Sequence, residues 1–267
     1  MSSMVKERLN QLLQRLIDVL EKEDGRSYEE KKAEILAILA EDMKQTKAEK
    51  RKRPRKSGAA IVRAAITQQR FWADGETLRL NDELWMRKVE KGDKEEFLAL
   101  TRIYSPMAAS FDDASFCNIF WKERTGDSEL MCSIFAGDSY IGYCSIADLT
   151  QDLWEVSIEL LPAWTGRGIG QLAMTALLDA AKERLGVTDF RVRIDAENTA
   201  SQKLFTRLGA VPNGISELWL HGEEELQRFE EKNLHRITAE MTALAETFGV
   251  EPRKLLSHVL EYRLHWD

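Results

Sequence analysis

A turn rich in glycine stands between a strand-like segment and a helix-like segment in the middle of the chain. Residues 154–161 (WEVSIELL) alternate as a strand does, and an amphipathic segment continues to about residue 185. The turn between them holds three glycines and an arginine: Gly166, Arg167, Gly168 and Gly170. Glycines leave backbone N–H groups uncovered, and a helix N-terminus adds the positive end of its dipole. Together with the Arg167 charge, this combination favours binding of a pyrophosphate group.

The spacing of the glycines separates this turn from two other phosphate-binding loops. A P-loop requires Lys followed by Ser or Thr after its last glycine, and the alternate glycines do not fit the dinucleotide fingerprint. Glycines in a tight turn are unspecific by themselves. The prediction therefore depends on the order of strand, turn and helix.

Further segments must position this unit. Residues 129–136 and 140–147 flank Gly137-Asp138, a pattern that is typical of a β-hairpin. Other strands are predicted at 85–89, 190–194, 215–220 and 258–266, and helices at 92–104, 199–208 and 223–248. The hydrophobic content of 43% is enough to bury a substantial core.

The turn and a second segment resemble the two motifs of the GNAT superfamily of acyl-CoA-dependent N-acetyltransferases. LLPAWTGRGIG is similar to the pyrophosphate motif Gln/Arg-x-x-Gly-x-Gly/Ala, with Thr165 where Gln or Arg is usual. Downstream, NTASQKLFTRLGAV is similar to the second motif. The positions that match are Gly168 and Gly170 in the first motif and Asn198, Ser201 and Gly209 in the second. The resemblance covers roughly residues 85–220 and the final strand.

The resemblance implies an α/β (α+β) fold with a mixed, mostly antiparallel sheet flanked by helices. It also implies that the sheet is splayed between the strands 154–161 and 189–194, where the pantetheine arm of acetyl-CoA inserts. The implied acetyl-CoA contacts are the backbone of Leu160 and Leu161, the turn Thr165, Gly166, Arg167, Gly168, Ile169, Gly170 and Gln171, and the pair Asn198 and Ser201. No metal is expected, because the four His lack metal-ligand spacing.

Two carboxylates on the strand are candidates for the amine proton. Glu155 and Glu159 are four residues apart and therefore point to one face of the strand. The resemblance implies that an acidic residue there accepts the proton of the amine, with Glu155 as first choice and Glu159 as second. The other interpretation is solvent-facing charge on a half-exposed strand.

The residue that protonates the leaving thiolate stays open. The tyrosine that the family uses is replaced by Phe205, so the candidates are Ser201, Tyr143, Tyr262 or water.

The N-terminal part of the chain is predicted to be an extension. Residues 1–58 are expected to form a helical hairpin with a basic end, and 59–76 a linker helix before a domain over 77–267 with a helical insertion at about 222–250. The apolar stripes of the hairpin are expected to pack on the domain or on a second copy, giving a homodimer. The run 44–56 carries a charge of +7, and the rest of the chain −14. We interpret the run as a solvated helix end rather than a nucleic-acid arm, because aromatic residues are absent within it.

Composition excludes several other classes of protein. Apolar runs are too short to cross a bilayer, and the N-terminus lacks the pattern of a secretory signal. Three Cys without CxxC spacing favour a reducing compartment, so the expected location is the cytoplasm.

Two functions remain open at this point. The first is an N-acetyltransferase that moves an acetyl group from acetyl-CoA directly to a primary amine of a small molecule, peptide or protein. The second is an inactive module of the same fold that binds CoA or acts through its helical extensions.

Overall fold

The computed structural model describes residues 58–73, 75–217 and 222–267. The predicted hairpin and its basic end lie outside the described residues, apart from Gly58. Among the residues described, none of the helices has the length and apolarity that a bilayer crossing needs.

The described strands form one eight-stranded sheet in the order β1-β2-β3-β4-β5-β6-β8-β7. Only β5 and β6 are parallel neighbours, and every other adjacent pair is antiparallel. The sheet is therefore mixed and mostly antiparallel, as predicted. The strands are β1 Thr77–Arg79, β2 Leu84–Lys88, β3 Leu130–Ala136, β4 Ser139–Ala147, β5 Trp154–Leu160, β6 Asp189–Ile194, β7 Val211–Glu217 and β8 His258–His265.

Helices cover both faces of the sheet and create two apolar clusters. The described helices are α1 Gly58–Phe71, α2 Lys94–Tyr104, α3 Ala114–Arg124, α4 Ile169–Leu185, α5 Thr199–Arg207, α6 Glu223–Asn233 and α7 Ala239–Phe248. The main core lies on one face and includes buried residues of α1, α4, α5 and α7. The second cluster lies under α2 and α3 and is rich in aromatic residues. Its buried members are Phe97, Leu98, Leu100, Phe111, Met131 and Tyr143.

A β-bulge in β4 determines which side chains reach the second cluster. Ile134 pairs with Gly142 and Phe135 pairs with Tyr140, so one residue of β4 is unpaired. Without the bulge, Tyr140 and Tyr143 would point to opposite faces, because an odd separation reverses the side of the sheet. With it, both pack against the second cluster.

An ion pair anchors the beginning of α2 to the sheet. Arg87 of β2 holds the buried carboxylate of Asp93 through two hydrogen bonds of 2.7 and 2.8 Å. Ser133 of β3 donates a third hydrogen bond of 2.7 Å to the same carboxylate. These contacts hold down the pKa of Asp93 against the effect of burial. They fix the position of α2, and therefore of Tyr104 at its end.

The insertion between β7 and β8 contains two helices rather than the single helix predicted over 223–248. A 3-10 turn, Leu234–Arg236, separates them, and Thr238 caps α7 by accepting a hydrogen bond from the Met241 N–H at 3.2 Å. A capping threonine inside a charged helical pattern was the local signal for this break. Phe248 of α7 packs on Tyr262 of β8 with ring centroids 5.1 Å apart.

Helix α1 is packed on the domain and is not a free linker. Arg184 of α4 donates to the Phe71 carbonyl and forms a bidentate pair with Glu76, at 2.9 and 2.6 Å. Its guanidinium also lies 5.5 Å from the Phe71 ring centroid. The α1 segment is thus tied to the end of α4.

Candidate active site

A gap opens between β5 and β6. The two strands pair only at Trp154 with Phe190 and at Glu155 with Arg191, although β5 continues to Leu160. Beyond these pairs the strands separate. The splayed sheet predicted between 154–161 and 189–194 therefore has its closed end at Glu155 and its open end near Leu160.

The open end presents the backbone of Leu160. The Leu161 N–H donates to the Ile141 carbonyl of β4 at 2.9 Å. Adjacent residues of a strand direct their N–H groups to opposite sides, so the Leu160 groups face the gap. The Tyr104 hydroxyl donates to the Leu160 carbonyl at 2.9 Å. Of the two leucines predicted to meet pantetheine, only Leu160 directs its N–H to the gap; that of Leu161 is turned to β4.

The turn after β5 has the conformation that a phosphate cradle needs. Gly166 and Gly168 have φ of 72° and 78°, the left-handed region that glycine adopts without strain. A Cβ added at either position would meet open space. Helix α4 begins at Ile169, and the first N–H groups of a helix have no intrahelical acceptor. Backbone donors of residues 169 and 170 are therefore directed out of the helix end.

Other predicted residues of the turn have structural tasks as well. The Thr165 hydroxyl donates to the Pro162 carbonyl at 2.9 Å, and the Arg167 guanidinium lies 5.2 Å from the Trp164 ring centroid. A Cβ at Gly170 would lie 3.2 Å from a Leu204 methyl group. Gly170 thus allows α4 to approach α5, while the Gln171 side chain is exposed at the start of α4.

The second motif forms the beginning of α5. Asn198 is the N-cap, and its side-chain oxygen accepts a hydrogen bond from the Ser201 N–H at 3.0 Å. Phe205 is only 2% exposed and lies in the main core, as does Tyr262. A hydroxyl added to Phe205 would be buried there.

Glu155 lies at the closed end of the gap and is engaged by arginines. Its Oε2 is 2.6 Å from Arg193 Nη2 and 3.3 Å from Arg191 Nη2, and Arg191 also pairs with Asp148 at 2.8 Å. This network links β5 to β6. Glu155 is the first choice for the proton acceptor from the sequence, and in the structure its carboxylate is held in ion pairs across the strands. We therefore expect it to be less available for a proton than Glu159.

Glu159 lies towards the open end, in a different environment. It is the cross-strand partner of Tyr143 on β4. Its Oε2 is buried and has no hydrogen-bond partner. Burial raises the pKa of Glu159, and a hydrogen bond from Tyr143 and the charge of Arg124 oppose that rise. A carboxylate with a buried, unused oxygen and a raised pKa is a stronger proton acceptor than an ordinary surface carboxylate.

Three tyrosines surround this carboxylate. Burial and the negative charge of Glu159 raise the pKa of Tyr104, Tyr140 and Tyr143, so their phenols stay protonated. The Tyr140 hydroxyl is buried without a hydrogen-bond partner. Tyr143 was among the thiol-protonating candidates, whereas Tyr104 and Tyr140 were missed. Their only sequence signals were an aromatic residue at the end of a helix and a tyrosine in a hairpin strand.

Residues 82–211 match the family model described as acetyltransferase (GNAT) domain. These residues form a GNAT domain. The segment from the gap to α5 lies within it, whereas α1, the α6–α7 insertion and β8 lie outside the match. The matched segment therefore belongs to the GNAT acetyltransferases.

Two curated relatives are similar over 46% and 60% of the chain. The human "Alpha/beta-tubulin-N-acetyltransferase 9" is 28% identical over 132 residues, which cover 46% of this chain and 62% of that protein. The "N-acetyltransferase 9-like protein" of Nematostella vectensis is 26% identical over 171 residues, covering 60% of this chain and 81% of that protein. The match thus spans less than two thirds of the human relative.

Solved structures are similar in fold only. A spermidine N-acetyltransferase from Vibrio cholerae, solved with CoA and spermine, is 16% identical with a TM-score of 0.48, covering 69% of this chain and 96% of that one. A ribosomal-protein α-N-acetyltransferase in complex with CoA is 13% identical with a TM-score of 0.49, covering 72% of this chain and 99% of that one.

Proposed function

We propose that this chain transfers an acetyl group from acetyl-CoA directly to a primary amine. The GNAT domain, the glycine turn at the start of α4 and the gap between β5 and β6 support acetyl-CoA as the donor. The observation that carries transfer to an amine is the buried, unpartnered Oε2 of Glu159. A carboxylate in this position has a use in acetyl transfer, because an alkylammonium must lose a proton before it can attack.

The proposed donor fits the residues present. Backbone N–H groups at the start of α4, with Arg167 beside them, would hold the pyrophosphate. The Leu160 N–H would face the pantetheine arm, and Asn198 and Ser201 would lie along it. No group of three or more His, Cys, Asp or Glu in the described ranges is arranged to hold a metal ion.

The reaction balances with one base and one proton donor. The ammonium gives a proton to Glu159, and the neutral nitrogen attacks the thioester carbonyl carbon. The C–N bond forms, the C–S bond breaks, and the sulfur leaves as a thiolate. Glu159 passes the first proton to solvent. The nitrogen loses its second proton, through water, to the group that protonates the sulfur, so that this donor is restored and CoA is released as the thiol. The Tyr104 hydroxyl, directed to the gap, or a water molecule would deliver the proton to sulfur.

The acceptor is proposed to be a cationic amine on a peptide or protein. The negative charge of Glu159 and the net charge of −7 favour a cationic acceptor. The human relative is named as a tubulin N-acetyltransferase. Tubulin and its N-terminal peptides therefore belong in the first panel of acceptors, beside polyamines and lysine peptides. We further propose a cytoplasmic location, from the free thiols of the chain, and a homodimer through the N-terminal segment that the sequence predicts to be helical.

A second candidate is a CoA-binding module without transfer activity. The buried phenyl ring of Phe205, at the position where the family uses a tyrosine, favours this alternative. The test is release of free CoA from acetyl-CoA across the acceptor panel, with acetylated product identified by mass spectrometry. Product formation that Glu159→Gln abolishes and Glu155→Gln retains supports the enzyme. CoA binding without product from any acceptor supports the module.

A further inference from the structure

Another ion pair, between Arg124 and Glu129, lies near the candidate active site. Arg124 is the last residue of α3, and Glu129 directly precedes β3. Their Nη2 and Oε1 atoms are 2.9 Å apart, and the side chains are 27% and 6% exposed. A polar pair this deep is costly to bury, so its position needs a reason beyond surface charge.

The Arg124 side chain reaches the tyrosine that faces Glu159. Its guanidinium carbon is 6.0 Å from the Tyr143 ring centroid. Phe97 of α2 packs against the same ring with centroids 4.9 Å apart. Tyr143 is therefore held by both α2 and α3, and it is directly opposite Glu159 in the register of β4 and β5.

We propose that the Arg124–Glu129 pair is a positioning element for Glu159: it holds the Tyr143 ring in place and sets one fixed positive charge behind the carboxylate. This inference deepens the proposed function and rests on it where catalysis is concerned. It assigns Arg124 and Glu129 no contact with the acceptor or with acetyl-CoA.

Helix α1 holds the loop that carries the pair. The Gln68 side-chain amide donates to the carbonyls of Gly126 and Glu129, both at 3.0 Å. Helix α1 lies outside the matched GNAT segment, so this support comes from a part of the chain that the minimal domain lacks. The loop is thereby fixed from outside the domain.

The charges that face Glu159 explain why this cation matters. The titratable groups that interact with Glu159 are Tyr104 on α2, Tyr140 and Tyr143 on β4, and Arg124 on α3. Since the tyrosines are neutral phenols, Arg124 is the cation of this set. Its positive charge lowers the pKa of Glu159 against the effect of burial. Glu129 partly cancels that charge through the ion pair, and the negative charges of Asp148 and Glu155 add to the effect of burial in raising the pKa of Glu129.

Opposite shifts in the pKa of Glu159 in two variants distinguish this electrostatic role from a purely structural role. In Arg124→Met the pKa of Glu159 should rise, because a stabilising positive charge is lost. In Glu129→Gln it should fall, because the Arg124 charge is no longer compensated. We expect each shift to be roughly one pH unit, the lower end of the effect of a nearby opposite charge. Arg124→Lys keeps the charge and should stay near the wild-type value.

The measurement is a titration of ¹³C-labelled glutamate carboxyls by NMR, with Glu159→Gln used to assign the Glu159 signal. Single-turnover transfer across pH is the second readout, and its acid limb should move with the NMR midpoint. Loss of structure is checked by CoA binding and by the unfolding temperature. If Arg124→Met does not fold, the test is whether the pKa of Glu159 falls in Glu129→Gln.

Shifts in the same direction, or unmoved midpoints in folded Arg124→Met and Glu129→Gln variants, would overturn the inference. Opposite NMR shifts in a protein that transfers acetyl to no amine would support the electrostatic role and count against the proposed function. The pH profile of transfer could lose its acid limb in Glu159→Gln and keep that limb in place in Arg124→Met and Glu129→Gln. This result would support the proposed function and reject the positioning role.

Discussion

Glu155 and Glu159 are the same residue type on the same face of β5, yet the two ends of the strand give them different surroundings. At the closed end, Glu155 lies between Arg191 and Arg193 and joins β5 to β6. At the open end, Glu159 has a buried oxygen without a partner and neutral phenols around it. Parity assigns both side chains to one face. Only the neighbouring strands and helices decide which carboxylate is available for a proton.

The largest expected effect is on turnover at the open end. Glu159→Gln keeps the size of the side chain and removes the base, so single-turnover transfer should fall by about 10²–10⁴. Acetyl-CoA affinity, measured by calorimetry, should hardly change. A variant with full rate and an unshifted pH profile would mean that the proton leaves by another route.

The next largest effect is on stability, at the place where β4 of the hairpin approaches β5 most closely. A Cβ at Gly142 would collide with the Glu159 carbonyl and lie 2.8 Å from a Leu160 methyl group. Gly142→Ala should therefore separate β4 from β5 and destabilise the protein by about 1–3 kcal/mol. Gly92→Ala is the matched control, because its added Cβ meets no atom within 4 Å. Equal unfolding midpoints in urea for the two variants would contradict the close approach.

The glycine turn gives a smaller effect that separates binding from strain. Gly168 and Gly186 are the N-cap and C-cap of α4, with φ of 78° and 71°. A Cβ added at either position would meet open space. Alanine should cost about 1–2 kcal/mol of stability at each position, since both adopt the left-handed conformation. Only Gly168→Ala should also weaken acetyl-CoA binding in calorimetry. Equal affinity in the two variants would remove the turn from the donor site.

The closed end should affect stability more than rate. Glu155→Gln leaves Arg191 and Arg193 with a weaker partner, which should cost about 1–2 kcal/mol, between the values for exposed and buried pairs. Single-turnover transfer should stay near the wild-type rate when it is measured well below the unfolding temperature. A loss as large as that of Glu159→Gln would restore Glu155 as the proton acceptor.

The sequence predicted most of the elements and the site region because those features depend on local patterns, but it missed β1 and α3. Glycines at alternate positions, a strand before them and Asn198 as a cap are visible without the fold. The choice between the glutamates stays a prediction, and the sequence alone could not show that Arg191 and Arg193 of another strand pair with Glu155. Long-range packing also hid Tyr104, which reaches Leu160 across 56 positions of the chain.

The smallest expected effect is on stability at the open end, and its sign is opposite to that at the closed end. The pKa of Glu159 is raised in the folded protein, so its contribution to stability is present at low pH and is lost as pH rises through that folded pKa. Glu159→Gln has no such loss. The two unfolding temperatures should therefore agree at low pH, and the variant should become the more stable protein as pH increases to neutrality. A difference of about 1 kcal/mol would move Tm by about 2–4 °C, which differential scanning fluorimetry at a series of pH values resolves. If the wild type instead gains stability relative to the variant as pH rises, the folded protein stabilises the anion of Glu159, and the open end of β5 does not raise the proton affinity of its carboxylate.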